Sequence, residues 1–320
     1  MTRLVLACLD RIGANARTLI ACAPFVAILL SDLSALLRPA LPFLVAAVYA
    51  SAMLRIDLGN ALLAALKLKS FVRTCALILV LMVAIPCISL ALSKAAGLSQ
   101  DAQQALVYAA LAPPFASAPA ICFLIGGNAA LALELSVLSA LLAPIVGATL
   151  ASFLLGDTLP LDPFSLSSRI ALMIGAGALF ALAVRKAIGP ARITQNSRAL
   201  DGVTAIIMIV FVVPVFDGVA DMVLSAPWTA LEVFFLVIVA NLAVQVVLLF
   251  GLAPLLGSAT AASIAISTGN RNVSLYLAAL PTNAYLTLFV ALYQIPMYLT
   301  PVIARRAMKL MTPKCNSNSN

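Results

Sequence analysis

The stretch SIAISTGNRNVSLYLAAL, Ser263–Leu280, places a permanent cation inside one of the most hydrophobic parts of this sequence. Arg271 is the only residue with a formal charge between positions 232 and 305. Gly269 permits backbone torsions that a helix does not use, and the polar side chains around it can satisfy the backbone groups that a break exposes. We interpret the stretch as a membrane helix that is interrupted near its centre.

A second stretch of the same kind is LAPPFASAPAICFLIGGN at positions 111–128, where Pro113, Pro114 and Pro119 fall within eight residues. A proline inside a helix removes a hydrogen bond and clashes with the preceding turn, at a cost of about 3 kcal/mol or more. One proline often only kinks a transmembrane helix. Three prolines so close together predict an unwound segment here.

The composition around these two stretches is that of a helical membrane protein. Hydrophobic residues make up 64% of the chain and charged residues 9%, whereas charged residues average about 25% in soluble domains. A spanning helix needs about 20 mostly apolar residues, and several charge-free runs are at least that long. We therefore predict an all-α polytopic membrane protein. The net charge of +8 is attributed to topology and anionic lipid, with no nucleic acid as a partner.

Proline, glycine and charge clusters divide the chain into ten predicted helices. They cover 18–37, 39–54, 74–93, 102–125, 130–155, 167–187, 200–220, 228–252, 258–280 and 284–305. We predict that both termini are cytoplasmic, because fifteen of the nineteen basic residues then lie on the inner side. The exceptions are Arg38, Lys94 and Arg169 outside and Arg271 within the membrane. This distribution follows the positive-inside rule.

The basic segment at 185–198, RKAIGPARITQNSR, separates two halves of five helices each. An odd number of helices per half means that the second half is inverted, which is the plan of many secondary transporters. We divide the chain into 1–188 (helices 1–5 and helix 6), a cytoplasmic linker at 189–199, helices 7–10 at 200–306, and a disordered cytoplasmic tail at 307–320. Each predicted break is then the fourth helix of its half, and paired breaks indicate the binding site.

Four stretches resemble the bile acid:sodium symporter family: AMLRIDLGNAL (52–62), LMVAIPCISLAL (81–92), the hairpin around positions 113–145, and ISTGNRNVSLYLAAL (266–280). The resemblance implies a panel domain of helices 1, 2, 6 and 7 that moves against a core holding crossed, broken helices 4 and 9. It further implies alternating-access transport of an organic anion together with sodium. Most of the implied sodium ligands are missing. Those positions hold Leu81, Ala118, Pro119, Ala132, Ser267 and Arg271, and Ser136 is the one ligand side chain that remains.

Arg271 and Glu134, the acidic residue of helix 5, are the candidate charged pair of the membrane interior. An ionisable residue at membrane depth is a functional candidate whose partner should be named. Four alternatives are open. The two residues form a fixed salt bridge, Glu134 carries a proton, Arg271 binds a substrate carboxylate, or they do not meet. In the first of these, Arg271 is a tethered cation where sodium would sit.

We expect a secondary transporter for a small or medium organic anion in the inner membrane of a bacterium, as a monomer or weak homodimer in contact with lipid. Alternatives are a proton-coupled or uncoupled carrier or antiporter, resembling auxin-efflux or arsenite-efflux proteins, and a non-transporting membrane sensor. Nucleotide-binding loops and nucleophile–base sets are absent from the sequence, so neither an enzyme nor a cofactor is expected. The predicted substrate contacts are Ser117, Pro119, Ser267, Thr268, Asn270, Arg271 and Asn272, and the predicted ion-coupling residues are Glu134, Ser136 and Arg271.

Overall fold

Long apolar helices form most of the protein. The computed structural model describes residues 2–55 and 68–311, and every regular element in this part is helical. Seven helices of the described chain are long and apolar enough to cross a membrane: Asp32–Met53, Val72–Ala95, Ala129–Thr158, Pro163–Ile188, Ser197–Val215, Pro227–Leu256 and Ala284–Leu310. The polytopic membrane character that the composition predicts is therefore confirmed.

The elements of the first half follow one another with short connections. They are α1 (Thr2–Ala14), α2 (Ala16–Ala27), α3 (Ser31–Leu37), a 3-10 turn (Arg38–Ala40), α4 (Leu41–Met53), α5 (Leu68–Leu79), a π-turn (Val80–Ala84), α6 (Ile85–Ala95), α7 (Gln100–Leu111), α8 (Ala118–Ile125), α9 (Ala129–Leu142), a π-turn (Ala143–Gly147) and α10 (Ala148–Leu155).

The second half contains the longest helices. Its elements are α11 (Pro163–Ile188), α12 (Pro190–Gln195), α13 (Ser197–Val215), α14 (Val219–Ser225), α15 (Pro227–Ile238), a π-turn (Val239–Ala243), α16 (Val244–Leu256), α17 (Ser258–Gly269), α18 (Ser274–Ala279) and α19 (Ala284–Met311).

The ten predicted helices exceed the seven long spans of the described chain by three, and these three are predicted helices 1, 4 and 9. Predicted helices 4 and 9 are each split into two pieces shorter than a bilayer, and predicted helix 1 is broken between α2 and α3. The apolar part of α2, Thr18–Ala27, is too short to span on its own. The number of spans and the inverted repeat stay predictions.

The end predicted for helix 1 at residue 37 coincides with the end of α3, but the chain does not leave the helical path there. Arg38 and Pro39 were expected to end a span, but the chain continues through them as a 3-10 turn from α3 into α4. The guanidinium of Arg38 donates to the main-chain oxygen of Pro214 at 3.4 Å and to the hydroxyl of Thr287 at 3.1 Å. Because neighbouring helices accept hydrogen bonds from its guanidinium, Arg38 can remain between two helices without full exposure to water.

Two further boundaries differ from the prediction. The linker at 189–199 is largely helical, since α12 occupies Pro190–Gln195 and α13 already begins at Ser197. Gly189, with φ of 87°, interrupts the helices here, whereas the prediction assigned a linker to all of 189–199. The predicted tail begins inside α19, which extends to Met311, and 312–320 lie outside the described residues.

Side-chain caps begin three of the helices around the core. Ser99 accepts from the Ala102 N–H at the start of α7, and Asn128 accepts from the Leu131 N–H at the start of α9. Asp162 accepts from the Ser165 N–H at the start of α11. Hydrogen bonds from the Ser165 side chain and main chain hold the pKa of this exposed carboxyl below its usual value. Each cap satisfies a donor that a helix start leaves open.

Candidate cation and substrate site

Both predicted breaks are present, and they pair with each other. The first break separates α7 from α8, and the second separates α17 from α18. Pro114 and Arg271 form an antiparallel β-bridge. The Phe115 N–H donates to the Asn270 oxygen at 2.7 Å, and the Asn272 N–H donates to the Pro113 oxygen at 2.9 Å. Each unwound segment therefore satisfies main-chain groups that the other has freed, as non-helical backbone at membrane depth requires.

The guanidinium of Arg271 is buried against main-chain oxygens. Its side chain is 2% exposed. Nε donates to the Thr268 oxygen at 2.8 Å, Nη1 to the Ala112 oxygen at 2.9 Å and Nη2 to the Leu81 oxygen at 3.2 Å. The three carbonyls come from the end of α17, the end of α7 and the π-turn between α5 and α6. One side chain thus connects both broken helices to a third helix.

The first two of these carbonyls are available because the helices that carry them stop. In a continuing helix the Thr268 oxygen would accept from Asn272, whose N–H is instead bonded to Pro113. Ala112 has an extended conformation, with φ of −61° and ψ of 141°, and is followed by Pro113. Its oxygen is therefore turned out of the helix and toward the guanidinium.

The Leu81 oxygen is available because of a proline. Ile85 donates to the Val80 oxygen, one residue further back than in an α-helix. Continued by one residue, this π-register would bond residue 86 to Leu81, but Pro86 has no N–H. A local irregularity in the sequence LMVAIP thus creates a carbonyl ligand for the cation.

Helix dipoles compensate the charge of Arg271. A helix C-terminus carries roughly half a negative elementary charge, and the ends of α7 and α17 both meet the guanidinium. Their partial negative charges lower the cost of burying the guanidinium. The ion-pair partners of the described residues do not include a carboxylate bonded to Arg271. This arrangement resembles the coordination of a metal cation by carbonyl oxygens.

A buried polar network holds the second break on its other side. Asn241 donates to the Gly269 oxygen at 2.8 Å and to the Asn270 side-chain oxygen at 3.1 Å. Gln245 donates to Asn241 at 2.7 Å, and Thr300 donates to Asn270 at 3.2 Å. Asn241 and Gln245 thereby link the long helix Pro227–Leu256 to α17 and α19.

The pairing of Glu134 with Arg271 is wrong for this structure. Both residues are described, and they form no hydrogen bond or ion pair with each other. Glu134 instead accepts from the Thr74 hydroxyl at 2.9 Å and lies 3.5 Å from the Arg73 guanidinium. Arg73 and Thr74 are on α5, which packs against α9. The error arose because charge content alone left Arg271 as the nearest cation inside the membrane, whereas Arg73 was assigned to the inner surface.

The other predicted contacts divide into two groups. Asn270, Thr268, Asn272 and Ser267 are all buried around Arg271. The Thr268 hydroxyl donates to Ile264, and the Asn272 side-chain oxygen accepts from Ser274, while the Ser267 hydroxyl has no partner. The second group lies earlier in the chain and comprises Ser117, Pro119 and Ser136. Ser117 and Pro119 are half-buried at the start of α8, and the Ser136 hydroxyl donates to the Ala132 oxygen within its own helix.

Sequence reasoning did not find several residues of the site. Tyr293 on α19 donates through its hydroxyl to the Gly269 oxygen. The carbonyls of Leu81 and Ala112 were missed because a main-chain oxygen has no sequence signature of its own. Pro86 was the available signal, since a proline after an apolar run marks a carbonyl without its usual partner.

Two cavities of several hundred Å³ lie away from the crossing of the breaks, and neither is lined by Arg271. One of about 470 Å³ lies between α4, α11 and α13 and is mostly apolar. The other, of about 420 Å³, lies between the turn at Arg38 and the end of α18 and is lined in part by Arg38 and Asp217. The residues that line these two cavities do not include any residue of the two breaks at 112–117 and 269–273.

Comparison of the chain with models of known protein families found no match, and comparison with characterised proteins found none. The resemblance described above therefore stays a prediction. Part of it, the stretch at 52–62, runs into residues 56–67, which lie outside the described part.

Proposed function

We propose that the protein is a secondary transporter that moves an organic anion by alternating access, with Arg271 as a tethered cation in place of a coupling ion. One observation carries the proposal. A permanently charged side chain is buried where two broken helices meet and is bonded only to main-chain carbonyls. Carriers bind cations with such helix-end carbonyls. A guanidinium at this position removes the need for a dissolved ion.

The positions at which the resemblance implies a first sodium site support the same proposal. Ala118 and Ala132 are fully buried in an apolar cluster with Cys122, Ala262 and Ala265. Sodium requires oxygen ligands, and a cluster of packed methyl groups supplies none. Transport is therefore proposed to be independent of sodium, in contrast to the family that the sequence resembles.

The test is flux in proteoliposomes. Uptake of labelled benzoate, glutarate and octanesulfonate is measured in sodium chloride and in choline chloride. We expect uptake of at least one anion, equal in both salts and faster when the interior is positive, because an uncoupled anion carries charge. Sodium-dependent uptake would contradict the role of Arg271.

Two alternative functions predict different results in the same assay. A proton-coupled carrier would show uptake that follows a pH gradient, and Glu134→Gln would abolish that uptake while it spares binding. A membrane sensor would bind an anion with no flux in either salt. Each outcome therefore selects one of the three functions.

A further inference from the structure

Three buried tyrosine hydroxyls near the crossing of the breaks have no hydrogen-bond partner. They belong to Tyr49 on α4, Tyr108 on α7 and Tyr276 on α18, which are 5%, 2% and 0% exposed. A buried hydroxyl without a partner loses its bonds to water and gains nothing in return. Phenylalanine would fill the same space without that cost. Three tyrosines in this condition therefore indicate that something else uses their hydroxyls.

The three side chains are neighbours. The rings of Tyr108 and Tyr276 stack with their centroids 5.3 Å apart. Tyr276 follows Arg271 by five residues on the second broken helix, and α18 packs against α4, which carries Tyr49. Tyr49, Tyr108 and Tyr276 therefore form one cluster beside the crossing of the breaks, where α4 packs against α18.

The backbone leaves room for one of these oxygens. A Cβ atom at Gly147 would lie 2.5 Å from the Tyr276 hydroxyl. Gly147 belongs to the π-turn between α9 and α10. Any larger residue at this position would displace the tyrosine oxygen, so the glycine keeps the hydroxyl in the cluster.

The chemistry of the cluster favours an anion. Each phenol can donate one hydrogen bond, and the adjacent guanidinium adds a positive field. Hydrogen bonds to a charged acceptor are about twice as strong as those between neutral groups. A carboxylate or sulfonate group has enough acceptor sites to bond to all three hydroxyls.

We propose that Tyr49, Tyr108 and Tyr276 bind the anionic group of the transported molecule, an inference that rests on the proposed transport function. Tyr49 belongs to the predicted panel, whereas Tyr108 and Tyr276 belong to the two broken helices. Separation of α4 from α18, against which it packs, opens the cluster to the ligand. Arg271 stays bonded to its carbonyls and contributes its charge through space.

The test uses Tyr→Phe variants, which remove only the hydroxyl. Melting temperatures without ligand and the affinity for octanesulfonate and benzoate are measured for Tyr49→Phe, Tyr108→Phe and Tyr276→Phe. We expect each variant to melt no lower than the wild type, because an unpaired donor has been removed. We expect each to bind the anion about tenfold more weakly or worse.

Two matched variants serve as controls. The Tyr298 hydroxyl is also buried and unpaired but lies on α19 outside the cluster, so Tyr298→Phe should keep wild-type affinity. The Tyr293 hydroxyl is bonded to Gly269, so Tyr293→Phe should melt lower.

Wild-type affinity in all three cluster variants would overturn the inference and leave the transport proposal intact. Melting temperatures that fall as for Tyr293→Phe would show that the hydroxyls are structural and would also overturn it. A wild-type protein that binds neither probe would count against the transport proposal itself. The wild-type measurement thus tests the function, and the variants test the site.

Discussion

Arg271 differs from most membrane arginines because its guanidinium is bonded to backbone oxygens and, within residues 2–55 and 68–311, to no acidic side chain. An arginine near a helix end usually reaches the interface with its long side chain. Arg271 lies in a break, where carbonyls at the ends of α7 and α17 surround it. Its planar fork of donors matches several acceptors at once, which a lysine cannot do.

Replacement of Arg271 should therefore lower stability in a graded way. Arg271→Met leaves three buried carbonyls unpaired, at about 1–3 kcal/mol each, and the loss of a buried charge recovers part of this cost. We expect a net loss of roughly 2–4 kcal/mol. The stability of Arg271→Lys should lie between that of Arg271→Met and that of the wild type, because lysine keeps the charge but not the planar set of donors. Melting temperature in detergent measures the order.

Arg169→Met is the matched control for this series. Arg169 is exposed and donates to a single carbonyl, that of Ala279, at 2.9 Å. Its replacement should change the melting temperature much less. Equal effects of the two methionine variants would show that the bonds of Arg271 add nothing beyond those of a surface arginine.

Glu134 provides a second prediction at the residue scale. A double-mutant cycle of Glu134→Gln with Arg73→Gln should give a coupling energy of about 0.2–1 kcal/mol, since Arg73 is half exposed. The cycle of Glu134→Gln with Arg271→Gln should be additive to within about 0.5 kcal/mol. A larger coupling in the second cycle would restore the charged pair that the sequence suggested.

At the scale of elements, the packing of the second broken helix depends on one glycine. A Cβ at Gly269 would lie 2.5 Å from the Asn241 oxygen and 2.6 Å from Gln245 Nε2. Gly269→Ala should therefore force α17 away from the long helix beside it and lower stability by about 1–3 kcal/mol.

Gly251 lies in α16 with no atom within 4 Å of the equivalent position. Gly251→Ala should be neutral or stabilising, because alanine favours the helix. Thermal denaturation of both variants gives the comparison. If Gly269→Ala has the same melting temperature as the wild type, the helices are less closely packed than the structure shows.

The sequence predicted the positions of the broken helices better than it predicted the contacts of the charged residues Arg271 and Glu134. Pro113, Pro114 and Gly269 have strong local consequences for the backbone, so the positions of both breaks could be read directly. The contacts of Arg271 depend on how distant carbonyls come together, and no residue type marks these. Glu134 was paired wrongly for the same reason. Charge and hydrophobicity indicate how deep a residue lies in the membrane, but they do not indicate which neighbouring helix its side chain faces.

At the scale of the whole molecule, the predicted ten-span topology can be tested by chemical labelling. Asp157 and Asn196 are both exposed, and they lie at opposite ends of the span formed by α11. We expect Asp157→Cys to be labelled only from outside and Asn196→Cys only from inside. An impermeant maleimide on cysteine-free right-side-out vesicles measures this. Labelling of both positions from one side would contradict the ten-span arrangement.

The composition predicted the class of the molecule, whereas the number of spans depends on how broken helices are counted. A rule based on length recognises seven long helices. The short pieces α7, α8, α17 and α18 cross only part of a bilayer each. Their pairing through the bridge between Pro114 and Arg271 is a tertiary feature, which hydropathy along the chain does not contain.

The most direct test of the central claim is the melting temperature of the wild-type protein in sodium chloride and in choline chloride at equal ionic strength. An ion at 100 times its dissociation constant stabilises the protein to which it binds by about 2.7 kcal/mol. Because the Arg271 guanidinium already occupies the carbonyl site, we predict the same melting temperature in both salts. A melting temperature that rises and saturates with sodium would show that a sodium site exists and that Arg271 does not replace it.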